Sequence, residues 1–476
     1  MTARSCQILF ALTLLAGVLG NGRALGKVID GGPQSLSQDS SIGESLRNAG
    51  QRPLHILYVH GIAAISAGGS QTFQKAICRY LKDCAAPATP VARDYADAGQ
   101  FSSGAEPPSL TYMGRPAWRN KDEWSASDPF VDHYVLRRTD GGPLVVDEIN
   151  WWPLALSLKC RAILTGETRL AGPNALLLNL CSQPTQLDPS SPGRFRAYTW
   201  ISSEGAKRLE TTQPQGALIN RWFKNSILDW GFSDAMMAVG PMHAIFREGM
   251  RQLFLKSVRF SANGSKTDEW ERQWKEPLGI DREFIVVSHS LGSYLVFSTL
   301  NMDQREAVSP PGPTPPESGA AAEDAAIQYI LERTSLVYFF ANQVPLLELA
   351  NLRSPEAAGS PPQALAPEGP SGTLATGMMK WKNLRETFAQ RRNDTQASAA
   401  KHPQVIAWSD PSDLLSWRLP AIDGLVVTNL YVRNTAWHWI IANPAAAHNN
   451  YAINKEVLKI MFGPKASAAK SKTKEL

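Results

Sequence analysis

Residues 284–293 read Phe-Ile-Val-Val-Ser-His-Ser-Leu-Gly-Ser. Four β-favouring residues run into Ser288-His289-Ser290-Leu291-Gly292, and a helix-compatible stretch, Tyr294 to Leu300, follows. A strand, a sharp turn and a helix in that order can hold a serine hydroxyl at the end of a sheet strand. Such an elbow forces strained backbone angles on its middle residue, so the positions two before and two after must be small. Ser288 and Gly292 occupy them. The usual pattern has glycine at both, so Ser288 is a one-letter departure that the geometry tolerates.

Working outward, Leu54-His55-Ile56-Leu57-Tyr58-Val59 is a short apolar run bounded by Pro53 and His60-Gly61, the profile of a buried strand. Gln71 to Leu81 reads as a helix. Leu144 to Trp151, Arg194 to Ile201, Ser335 to Phe340, Val405 to Trp408 and Leu425 to Val432 are further candidate strands. Tyr451 to Phe462 reads as a closing helix stopped by Gly463-Pro464. Strands alternating with helical stretches predict an α/β protein with a mainly parallel sheet covered by helices on both faces. Ile29 to Gly50 reads as irregular. Ser309–Ala325 and Ser354–Gly377 are rich in Pro, Ala, Gly and Ser and read as mobile surface loops. The stretch 85–280 is long and mixed. Its later half, Trp222 to Val258, carries apolar residues at helical spacing and fits either a cap over a site or core helices on a sheet.

A serine hydroxyl is a weak nucleophile until a base takes its proton, and that base is normally a histidine supported by a carboxylate. On an open parallel sheet the three come from loops at the carboxyl ends of different strands, in the order serine, acid, histidine. Of eight histidines, only His402, His438 and His448 follow Ser290, and His402 precedes the plausible acid loop. His438 lies in the aromatic run Ala-Trp-His-Trp-Ile-Ile, where a packed histidine is the natural reading. His448 lies in a loop entering the final helix and is favoured. The acid loop after Val405–Trp408 holds two aspartates. Asp413, further into the loop and before an apolar pair, is preferred; Asp410, beside Pro411, resembles a turn residue. The oxyanion donors expected are the backbone N–H of Leu291 and that of Ile62, where Gly61 allows close approach.

Val59-His60-Gly61, the Ser288–Gly292 elbow, Asp413, and His448 with Tyr451 together resemble the α/β-hydrolase superfamily, nearest its lipase and esterase branches. The resemblance covers residues 53–84 and 281–464. It implies a Ser290–His448–Asp413 triad that uses no metal and no cofactor. Residues 85–280 lie outside the resemblance and read as a large, mostly helical insertion. The activity implied is cleavage of carboxylic esters, of small molecules or lipids, with room for peripheral membrane contact. The same triad serves amidases, peptidases and acyltransferases, and the fold also occurs without catalysis as a binding protein.

The chain is organised as a signal segment at 1–26, the hydrolase-like domain at 27–84 and 281–464 around the insertion at 85–280, and a basic tail at 465–476. Arg4, the apolar run Ile8 to Leu19 and the small residues Gly20, Ala24 and Gly26 read as an export signal, with an uncleaved N-terminal anchor as the alternative. Export to the periplasm or beyond suits the cysteines. With Cys6 in the signal, Cys78, Cys84, Cys160 and Cys181 remain, and adjacent pairing is the simplest of three connectivities. No CxxC or histidine pair suggests zinc. The net charge of +5 resides in the signal, with Arg4 and Arg23, and in the lysine-rich tail. The stretch 27–464 is neutral, which argues against nucleic acid as a partner. The sequence carries no reading of oligomeric state.

Overall fold

A computed structural model describes residues 28–30, 41–62, 68–82, 84–96, 129–139, 141–155, 231–240, 243–260, 282–300, 318–347, 381–386, 404–421, 426–434 and 444–463. Among them, nine strands form one sheet: β1 (Val28–Asp30), β2 (Leu54–Val59), β3 (Ala92–Tyr95), β4 (Phe130–Leu136), β5 (Leu144–Asn150), β6 (Glu283–His289), β7 (Thr334–Phe340), β8 (Gln404–Ser409) and β9 (Val426–Val432). Their order across the sheet is β1-β9-β8-β7-β6-β2-β5-β4-β3. The six strands from β5 to β9 through β2 and β6 pair in parallel, and β1, β4 and β3 add antiparallel margins. The expected mainly parallel α/β class is therefore present.

The inner strands are buried on both faces, as their near-continuous Val, Ile, Leu and Phe content requires. One face is covered by α4 (His243–Arg259), α5 (Leu291–Leu300) and α6 (Ser318–Arg333), whose apolar residues join Leu57, Val131, Ile149, Val286 and Val337 in one core. The other face is covered by α1 (Ile42–Ala49), α2 (Gln71–Leu81) and α9 (Lys455–Phe462), packed on Ile56, Val146, Ile285, Tyr338 and Ile406. The short helices α3 (Ser233–Val239), α7 (Val344–Leu347) and α8 (Pro444–Asn449) complete the described set, with a 3₁₀ turn at Tyr451–Ile453. No helix among the described residues is long and apolar enough to cross a membrane.

The stretch 85–280 contributes three strands, β3 to β5, to this same sheet, and its α4 lies on the sheet as a core helix with Phe246, Met250, Leu253 and Phe254 buried. β4 is disguised in the sequence because Asp132 and His133 interrupt its apolar run. Both are buried in partnerships: Asp132 takes a two-pronged bond from Arg93 at 2.6 and 2.8 Å, and His133 meets Asp147 at 2.7 Å. Three other expectations change. The irregular reading of 29–50 gives way to α1, started by Ser41, whose hydroxyl accepts from the Glu44 N–H at 3.2 Å. The loop expected over 309–325 is helical from Ser318, because the alanine-rich run after Pro316 favours helix and Ile327 and Ile330 bury against the sheet. The closing helix is broken at Asn454, whose side chain caps α9 by accepting from Glu456 N–H. The candidate strand 194–201, the loop 354–377, the signal segment, the tail, Cys160 and Cys181 lie outside the described residues. Cys78 and Cys84 form a disulfide with their Cα atoms 5.0 Å apart.

Candidate active site

The chain leaves β2 for β3–β5 on one side, then crosses back to β6 and moves outward through β7, β8 and β9. The carboxyl ends of β2 and β6 therefore flank the switch point of the sheet, where ligands of open α/β sheets bind. Ser290 stands there, directly after β6. Its φ is 55°, one of three positive values at non-glycine residues among those described, and its N–H is tied to the Phe340 carbonyl at 2.8 Å. α5 begins at Leu291, so the first N–H groups of that helix lack intrahelical acceptors and face the turn.

The elbow fits only because its neighbours are small. A Cβ on Gly292 would strike the His60 carbonyl oxygen and lie 2.7 Å from that of Val59. A Cβ on Gly61 would lie 2.8 Å from both Ser290 Cβ and His289 Nδ1. The close approach that Gly61 permits brings the backbone leading to Ile62 against the elbow. Ser288, in the position where glycine is usual, is buried and donates its hydroxyl hydrogen bond to Ser293 Oγ at 3.1 Å.

His448 joins the serine to a carboxylate. Its Nε2 lies 2.9 Å from Ser290 Oγ, and its Nδ1 lies 2.9 and 3.0 Å from the two oxygens of Asp413. A carboxylate only accepts, so Nδ1 carries the proton and Nε2 presents a lone pair to the serine hydroxyl. That is the tautomer in which imidazole can act as a base. Both Asp413 and Ser290 are buried. His448 sits in the short helix α8 rather than in the loop expected, which fixes its backbone more firmly.

Asp410 makes no hydrogen bond with His448; it builds the loop. Its carboxylate accepts from Ser412 N–H at 2.7 Å and Asn434 N–H at 2.6 Å, and its carbonyl accepts from Asp413 N–H at 2.9 Å. Burial raises its pKa. Tyr451 completes the support: its hydroxyl donates to Asp413 Oδ2 at 3.2 Å and accepts from Asp410 N–H at 2.6 Å. Buried as it is, this phenol has its pKa pushed well up and stays neutral. Asn434 holds the Ala447 carbonyl at 2.8 Å, linking the segment after β9 to α8. His438 and His402 lie outside the described residues.

Two groups at the site escaped the sequence reading. His289 sends its Nε2–H to the His448 carbonyl at 2.6 Å, and burial lowers its pKa to about 3, so it is a neutral strut under the base. Its place inside the elbow was visible, but nothing in the sequence says which backbone it supports. Gln343 donates from Nε2 to Ser290 Oγ at 2.9 Å. Its only sequence signal is its position three residues beyond the β7 run, at the carboxyl edge of the sheet. His60, stacked on Trp151, bonds the Gly61 carbonyl at 2.9 Å and is kept neutral by burial, with its pKa lowered to about 4. No group of histidine, cysteine, aspartate and glutamate side chains that could hold a metal ion occurs among the described residues.

No protein-family model, no curated protein and no solved structure matches the chain.

Proposed function

We propose that this chain is an exported serine hydrolase of the α/β-hydrolase fold that cleaves carboxylic esters through an acyl-enzyme on Ser290. The observation that carries the reading is the unbroken line Ser290–His448–Asp413, with every link between 2.9 and 3.0 Å, on a strained elbow at the switch point of a parallel sheet. In acylation, Ser290 Oγ bonds to the ester carbon while its proton passes to His448 Nε2, and the carbonyl π pair moves to the oxygen. The N–H groups of Leu291 and Ile62 receive that charge. Collapse expels the alkoxide oxygen, which takes the proton from His448. Water then repeats the sequence against the acyl-enzyme, with Ser290 as the leaving group. The export reading rests on the N-terminal apolar run and is supported by the Cys78–Cys84 disulfide, which an oxidising compartment preserves.

The test is labelling by a fluorophosphonate probe together with hydrolysis of p-nitrophenyl esters. Wild-type protein should label at Ser290 and turn over the ester. Ser290→Ala should lose both, by on the order of 10⁶-fold in kcat, while its unfolding transition stays in place. Equal turnover in Ser290→Ala and wild type refutes the proposal.

A further inference from the structure

Resting on the hydrolase reading above, we infer that Gln343 is a further catalytic residue, whose carboxamide N–H stabilises negative charge on Ser290 Oγ as the proton leaves. A serine hydroxyl has one hydrogen, and the geometry commits it to the lone pair of His448 Nε2 at 2.9 Å. A second polar group at 2.9 Å from the same oxygen must therefore donate to it, and the Gln343 Nε2–H does. Gln343 is 4% exposed and Ser290 0%. With water shut out, a donor fixed on the developing alkoxide is worth more than it would be in solvent.

The position of Gln343 is built rather than incidental. β7 ends at Phe340, whose carbonyl holds Ser290 N–H. Ala341 then turns with φ 51° and gives its N–H to the Trp408 carbonyl at 3.1 Å. Asn342 clamps the acid loop in both directions, donating from Nδ2 to the Trp417 carbonyl at 3.0 Å and accepting Trp417 N–H at 2.8 Å. Its Oδ1 also accepts Val344 N–H at 3.2 Å. A strained alanine and a three-bond asparagine thus fix the backbone on either side of Gln343, whose side chain ends on the nucleophile.

As the Oγ–carbon bond forms and the Oγ–H bond breaks toward His448, the Gln343 N–H···O bond strengthens with the charge on oxygen. It weakens again once Oγ has become an ester oxygen. In deacylation the same donor steadies the departing Oγ until His448 returns its proton. Gln343 neither gains nor loses a proton at any step.

Two variants test this. Gln343→Met keeps length and volume but removes the donor. It should lower the fluorophosphonate labelling rate and kcat by on the order of 10²-fold, with KM and the thermal midpoint unchanged. Gln343→Glu restores a donor only when its carboxyl is protonated. Its activity relative to wild type, measured at each pH, should climb as pH falls and collapse as the carboxylate forms. Wild-type labelling and kcat in Gln343→Met, or a fall that comes entirely from KM or lost stability, overturns the inference. So does a flat activity ratio in Gln343→Glu, which also decides the matter if Gln343→Met does not fold. Labelling of wild type at Ser290 with both variants unaffected rejects Gln343 alone. Absence of Ser290 labelling in wild type rejects the hydrolase reading and this inference together.

Discussion

Among the described residues, two buried carboxylate–histidine groups lie in or beside this sheet, and only one of them reaches a serine hydroxyl. Asp413 and His448 meet on segments beyond the strand ends, and the free ring nitrogen of His448 points at a hydroxyl on a strained turn. Asp147 on β5 bonds His133 on β4 at 2.7 Å and His55 on β2 at 3.2 Å, across three adjacent strands in mid-sheet. Phe260, just beyond α4, stacks on His133 with ring centroids 4.0 Å apart and closes the group off. The pairs share bond lengths and burial, so neither property makes a site. What distinguishes the first is backbone: a residue at positive φ, small neighbours that let strands and turn approach, and a place at the sheet's switch point. The second group lies along regular strands and serves the sheet, letting four polar side chains, Asp94 among them, remain inside it.

Replacement of the two aspartates should separate these roles most sharply. Asp413→Asn should cost on the order of 10⁴-fold in kcat, because the amide no longer selects the Nδ1–H tautomer of His448, while the urea midpoint changes little. Asp147→Asn should do the reverse. Leaving two buried histidines without their shared charge should cost about 3–5 kcal/mol in urea unfolding, with fluorophosphonate labelling per folded molecule at the wild-type rate. If Asp147→Asn unfolds at the wild-type midpoint, the distinction between a structural and a reactive pair collapses.

A smaller effect is expected at Tyr451. Tyr451→Phe removes one hydrogen bond to Asp413 and the acceptor for Asp410 N–H. The loss should be about 1–2 kcal/mol of transition-state stabilisation, roughly 10-fold in kcat, read from ester hydrolysis at saturating substrate. A loss as large as that of Asp413→Asn would mean that Tyr451 does more than orient the acid.

The mildest test is pH. Burial opposes a charge on His133, yet Asp147 and Asp94 outweigh it and push the pKa from 6.5 up to about 9. A raised folded-state pKa means the native state binds the proton more tightly than the unfolded chain. Its stabilisation is then fully present below pH 6.5 and is lost as pH rises through about 9. The urea midpoint of wild type should fall over that interval, and His133→Gln should flatten the fall. An equal decline in both proteins would assign the alkaline loss to other groups.

Much of this was legible locally. β2, α2 and the positions of β6 to β9 follow from short apolar runs ended by Pro, Gly or polar turns, which burial on both faces demands. The serine, the acid loop and the preferred histidine follow from residue type and chain order, which the topology of a parallel sheet constrains, while the preference for Asp413 over Asp410 rests on its place further into that loop. β4 was hidden because its Asp132 and His133 look like breaks until Arg93 and Asp147 are found beside them. α1 was hidden although Ser41 and Glu44 carry the spacing of a helix start, because the surrounding Gly and Ser residues outweigh it in composition.

The sequence by itself determined the α/β class and placed a serine elbow, an acid loop and a histidine in workable order, since these depend on neighbours a few residues apart. Only the tertiary structure decided that Asp413 and not Asp410 faces His448, that Asp410 and Tyr451 brace the acid, and that Gln343 reaches the nucleophile. The Asp413–His448, Tyr451–Asp413 and Gln343–Ser290 contacts join residues 35, 38 and 53 apart along the chain, and Asp410 meets Tyr451 across 41. Their meeting depends on which way each side chain leaves a packed strand end, and packing, not local propensity, sets that direction.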